Sequence, residues 1–120
     1  MEESLKKFVL YTAPTGEIRV DVLLQDESVW LTQKAIAELF GVVKSTVSEH
    51  LTNIYTTHEL EETSTVRKIR TLQTEGNRKV NRDLEYYNLD AIISVGYRVN
   101  SAKATQFRIW ATNTLKEYIT

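Results

Sequence analysis

The stretch from Trp30 to Ile54, WLTQKAIAELFGVVKSTVSEHLTNI, admits few folds. Apolar residues at Ile36, Ala37, Leu39 and Phe40, and again at Val47, Leu51 and Ile54, have helical spacing, with Gly41 between the two groups. Glycine accepts the left-handed conformation that ends a helix and turns the chain steeply. Ala37 leaves room for a second helix to cross closely. Small residue, turn glycine and then a buried β-branched residue (Val47) is the pattern of a helix-turn-helix, whose second helix, about Lys44 to Ile54, would lie in the DNA major groove. The same spacing also serves an αα-hairpin that only builds a core, so it does not decide function. His50 stands where many helix-turn-helix sequences carry an aliphatic residue. Thr46-x-x-Glu49 reads as a capping box, which would begin the second helix at Thr46 and make Glu49 a cap rather than a base reader.

A chain of 120 residues, 42% hydrophobic and 26% charged, makes one domain with a single modest core. No apolar run reaches membrane-spanning length, and the opening Met1-Glu2-Glu3-Ser4 is acidic, unlike a signal peptide. The absence of cysteine excludes disulfides and thiol chemistry. Together these predict a cytoplasmic protein. Net charge is −1, so no global field draws the chain to nucleic acid and any attraction must be local. Local charge exists. Arg67, Lys68, Arg70, Arg78, Lys79 and Arg82 have only Glu75 among them, a net of +5, whereas residues 1–27 carry a net of −3. Such separation lets one face meet phosphates while another repels them.

In chain order, Phe8 to Leu24 predicts a β-hairpin. Its turn is Ala13-Pro14-Thr15-Gly16, and Ile18, Val20 and Val22 alternate with Arg19 and Asp21. Asp26-Glu27-Ser28 makes another turn, Val29 to Leu31 a third short strand, and Thr32 the N-cap of the next helix. Tyr55 to Ser64 is polar and acidic, a helical tail or loop. Val66 to Tyr87 predicts a second hairpin turning at Gly76-Asn77. A basic hairpin after a helix-turn-helix is like the wing of winged-helix proteins, which touches the DNA backbone. Its cations serve equally well to protect a sheet edge from aggregation.

Asn88 or Asp90 caps a helix running to about Val99, and Asn100-Ser101 starts the last one. There Ala104, Phe107, Trp110, Ala111, Leu115, Tyr118 and Ile119 form a broad apolar stripe, with Phe107 and Trp110 as core or dimer-interface anchors. The stripe still runs at Thr120 without a C-cap, which predicts the amino-terminal fragment of a longer protein.

Enzyme chemistry finds little support. His50 and His58 lack metal-binding spacing, the glycines form no phosphate loop, no serine lies in a nucleophile elbow, and Glu61 and Glu62 point apart. No catalytic residue, metal site, cofactor or small-molecule substrate is expected.

Three stretches, VWLTQKAIAELFGV, STVSEHLTNIY and YYNLDAIISVGYRVNSAKATQFRIWATNTLKEYI, resemble the virulence RhuM family of bacteria, from about Ile18 onward. The most specific part is YNLDAIISVGYRVNS followed by QFRIWA. The ending also resembles the Bro-N domain of phage and viral regulators. The resemblance implies a DNA-binding amino-terminal domain of a longer protein, found in pathogenicity islands and mobile elements, and transfers no catalytic residue.

The expectation is therefore an α+β domain, a helix-turn-helix with two β-hairpins (winged-helix-like) and a C-terminal helical pair. It would bind double-stranded DNA in a regulatory role, as a homodimer. Lys44, Ser45 and Ser48, with Thr52 further along, would face base edges. Lys34, Arg67, Lys68, Arg70, Arg78, Lys79 and Arg82 would contact phosphates. The alternative is a protein-interaction or dimerisation module that targets a downstream effector domain, using Phe107, Trp110 and Tyr118.

Overall fold

The fold is that of a computed structural model, which describes residues 7–119. The acidic opening, Lys6, the chain end at Thr120 and the side chain of Ile119 lie outside the described residues. Strands β1 (Lys7–Thr12) and β2 (Arg19–Gln25) form the expected first hairpin, with Val9 opposite Val22 and Tyr11 opposite Val20. Alternation sends Val20, Val22 and Leu24 inward. At the turn the Gly16 N–H donates to the Ala13 carbonyl at 2.8 Å, and Gly16 takes φ +81°.

The chain returns as β3 (Ser28–Leu31) through Asp26 and Glu27, whose φ angles are +50° and +61°. A two-residue turn with both centres left-handed matches the twist of the strands, but it suits Asn-Gly far better than two acids. Each such residue stores strain on the order of 1 kcal/mol. Glu27→Gly is expected to raise stability by up to about 1 kcal/mol, read as a higher urea midpoint at unchanged m-value.

Helix α1 (Gln33–Phe40) starts where expected, with the Thr32 hydroxyl accepting from the Ala35 N–H at 3.2 Å, and ends at Gly41 with φ +70°. Helix α2 (Lys44–Thr56) begins at Lys44, as the spacing predicts, and not at the alternative Thr46–Glu49 capping box. Both residues lie inside the helix, and Val43 holds the N-cap position without a side-chain hydrogen bond. Beyond it, His58 turns the chain at φ +62°, and α3 (Glu62–Thr65) is a single turn. The Thr65 hydroxyl ties that turn down, bound to the Glu61 carbonyl and the Tyr55 phenol, each at 2.8 Å.

Strands β4 (Val66–Glu75) and β5 (Arg78–Asn88) form the second hairpin, turning at Gly76 with φ +62°. The two hairpins are parts of one sheet. Trp30 and Leu31 of β3 pair with Asn88 and Tyr87 of β5, giving five antiparallel strands in the order β1-β2-β3-β5-β4. Asn88 then caps α4 (Leu89–Val99), accepting from the Ala91 N–H at 3.1 Å. Asn100 opens α5 (Ser101–Ile119) by accepting from the Lys103 N–H at 3.1 Å.

The main core lies between the helices and one sheet face, with Val22, Val29, Ile36, Val47, Ile54 and Ile92 fully buried. Phe107 is fully buried there as well, and both Phe107 and Trp110 stack edge-on against Tyr11, at centroid distances of 5.1 and 5.0 Å. Phe107 is a core residue, which removes it from any interaction surface, and Trp110 is half-buried against that core. A second, smaller cluster of Leu23, Trp30, Ile69 and Tyr86 occupies the other face, under the β4–β5 hairpin.

Candidate nucleic-acid interface

The helix pair presents one polar side to the exterior. Val47, Leu51 and Ile54 turn inward on α2, which leaves Lys44, Ser45, Ser48 and Thr52 exposed, with Lys34 exposed on α1. The Thr52 hydroxyl is already spent on the Ser48 carbonyl at 3.0 Å. Ser48 and Thr52 also border a hollow that includes Glu62 and Glu85, so a carboxylate stands beside them. Lys44 and Ser45, at the amino-terminal end of α2, lie outside that hollow, and Lys44 lines a second cleft that also holds Asp83 and Glu85. Lys103 reinforces this end. Its amine sits 3.6 Å from where a Cβ on Gly41 would be, beside the carboxyl end of α1, where a cation is favoured. Lys103 lies some sixty positions along the chain from Gly41, and no local pattern announces the contact.

The hairpin divides its cations between two faces. Register and alternation put Lys68, Arg70 and Lys79 on the face shared with Tyr87, toward the helices. Arg67, Arg78 and Arg82 share the opposite face with Ile69 and Tyr86. Three of the six are engaged with carboxylates. Arg82 grips Glu75 through two bonds of 2.8 Å, and that grip holds the Glu75 carboxyl below its ordinary range. Arg70 donates to Asp83 at 3.1 Å. Arg67 pairs with Asp26 and lies over the Trp30 ring at 4.5 Å. Across Val66–Asn88 the six cations meet Glu75, Asp83 and Glu85, so the hairpin's net charge is +3 rather than the +5 counted between 67 and 82. Lys34, Lys44, Lys68, Arg78 and Lys79 form no ion pair among the described residues.

Helices and hairpin meet across a cleft of about 390 Å³, with Lys34 and Lys44 on one wall and Asp83 and Glu85 on the other. Its floor is a polar relay. Gln33 donates to the Tyr87 phenol at 2.9 Å, and that phenol donates to Glu85 at 3.3 Å. Burial pushes the Tyr87 phenol up to about 12, and burial also raises Tyr11 and Tyr55. The sign follows from which state ionises first. Below about pH 10 the phenol is neutral whether the chain is folded or unfolded. Between about 10 and about 12 only the unfolded chain releases the proton, so stability falls across that window. Urea unfolding at steps from about pH 9 to about pH 12 should show the decline, and Tyr87→Phe should make it shallower.

No group of three His, Asp or Glu side chains is placed to hold a metal among the described residues. No helix there is long and apolar enough to cross a membrane.

Residues 64–120 match the family model described as the Virulence protein RhuM family. The match runs from the end of α3 through β4, β5, α4 and α5, and supports the resemblance to that family over this part of the chain. It does not reach the α1–α2 pair. No curated protein and no solved structure matches the chain.

Proposed function

We propose that the chain is a winged-helix-like, double-stranded DNA-binding domain of a RhuM-type bacterial protein, with α1 and α2 as its helix-turn-helix. The amino-terminal end of α2 enters the major groove and the β4–β5 hairpin lies along the adjoining backbone. One observation carries the reading. The order β3–α1–α2–α3–β4–β5, with β5 paired between β3 and β4, sets a long hairpin beside a helix whose exposed end is Lys44 and Ser45. Lys44 and Ser45 face base edges, and Ser48 and Thr52 sit at the margin beside Glu85. Lys34, Lys68, Arg78 and Lys79 take phosphates, while Arg67, Arg70 and Arg82 act mainly to hold the hairpin in shape. The role is regulatory, and a homodimer reading two half-sites fits this docking.

A second reading, a dimerisation or protein-interaction module, is favoured by β1. Among the described residues it is an edge strand, and Phe8 and Leu10 on it are each nearly half exposed. An open apolar edge is a pairing surface.

Binding to random duplex as salt is varied separates the two. DNA binding gives log K falling linearly with log salt, with a slope near −0.9 per phosphate contacted. An interaction module gives no binding even at low salt, together with self-association in sedimentation.

A further inference from the structure

We propose that Val43 is a base reader, its isopropyl group resting on the 5-methyl group of a thymine in the major groove. This rests on the docking proposed above and adds the base that is read.

Val43 is 65% exposed, the most open large apolar side chain among the described residues. It covers no part of the core. Its neighbour Val42 is half-buried against the core and Val47 is fully buried in it. Val43 also stands at the N-cap of α2, where Ser, Thr, Asp or Asn would accept a hydrogen bond from the first turn and strengthen the helix. Valine supplies no such bond. The position thus gives up the stability that a side-chain cap would add.

A residue that weakens its own fold at the tip of the proposed reading helix points to a contact outside the chain. The exposed polar neighbours leave that contact unspecified. Ser45 accepts many base patterns, and Lys44 serves phosphate as readily as guanine. The thymine methyl is the apolar landmark of the major groove, and only an apolar group reads it well. Lys34 and Lys44 supply the attraction that brings the duplex to this end.

The test starts from the duplex that the wild-type chain enriches from a random pool. Each thymine is replaced in turn by uracil, which removes only the methyl group. Affinity is expected to fall about fourfold at one thymine of each half-site, the factor that burying one methyl is worth. Val43→Ser should bind the thymine and uracil duplexes equally, keep the salt slope, and melt about 3–5 °C higher because it gains a cap. Val43→Ala should lose the thymine preference without that rise.

Equal wild-type binding to every uracil duplex would overturn the assignment, as would a Val43→Ser chain that still prefers thymine. Salt-dependent duplex binding with no responsive thymine defeats the Val43 assignment alone. Failure to bind any duplex at low salt defeats the docking and this inference together.

Discussion

Gly96→Ala is expected to destabilise the fold by about 2–3 kcal/mol and to lower Tm by about 10 °C. On an exposed helix the same change would stabilise by about 1 kcal/mol, because alanine is the better helix former. Here the helix has company. A Cβ at Gly96 would lie 2.5 Å from Phe40 Cζ and 2.8 Å from both Phe40 Cε1 and Ala104 Cβ. Phe40 is 3% exposed and Ala104 is fully buried, so neither has a free side to move into. Gly96 is therefore where α1 and α5 close on α4. Urea unfolding of Gly96→Ala, Phe40→Leu and the double variant makes the check. The double variant should recover at least about 1 kcal/mol relative to the sum of the single changes, since trimming the ring opens the space. A more stable Gly96→Ala protein would refute the close approach.

Removing Lys34, Lys68 and Lys79 together, each to Ala, should flatten the salt slope of duplex binding by about 2.7. At low salt the affinity should drop on the order of a hundredfold. All three side chains are exposed and unpaired among the described residues, so circular dichroism and melting should change little. Arg82→Ala is the contrast. Its guanidinium is held by Glu75 on the face away from the helices, and its loss should leave the slope where it was. Arg78→Ala tests the hairpin tip alone, and should weaken binding evenly across sequences with a slope change of about 0.9. If the triple variant keeps the wild-type slope, neither α1 nor the β4–β5 hairpin faces phosphate.

Much of the local architecture is legible without coordinates because it rests on neighbours in the chain. Thr32, Asn88 and Asn100 cap helices through bonds three residues long. Gly41 and Gly76 turn the chain at positive φ, as their places between apolar runs predict. Helix α2 starts at Lys44, as the helix-turn-helix spacing predicts, and the alternative start at a Thr46–Glu49 capping box does not hold, since both residues lie inside the helix. Counting cations from 67 to 82 likewise overstates the hairpin, since Asp83 and Glu85 lie just past that window yet come opposite Arg70 and Lys68 in the register.

What the order of residues determined alone is the set of elements and their inward faces, since hydrophobic period and capping act over a few positions. The tertiary structure alone decided which elements touch. It joined the hairpins through Trp30 and Leu31, sealed Phe107 in the core, set the half-buried Trp110 beside Tyr11, and pressed Gly96 onto Phe40. It also divided the hairpin's cations between two faces and left Val43 in the open. These outcomes depend on side chains far apart in the chain competing for the same space and the same counter-charge, and no short window of sequence contains both competitors.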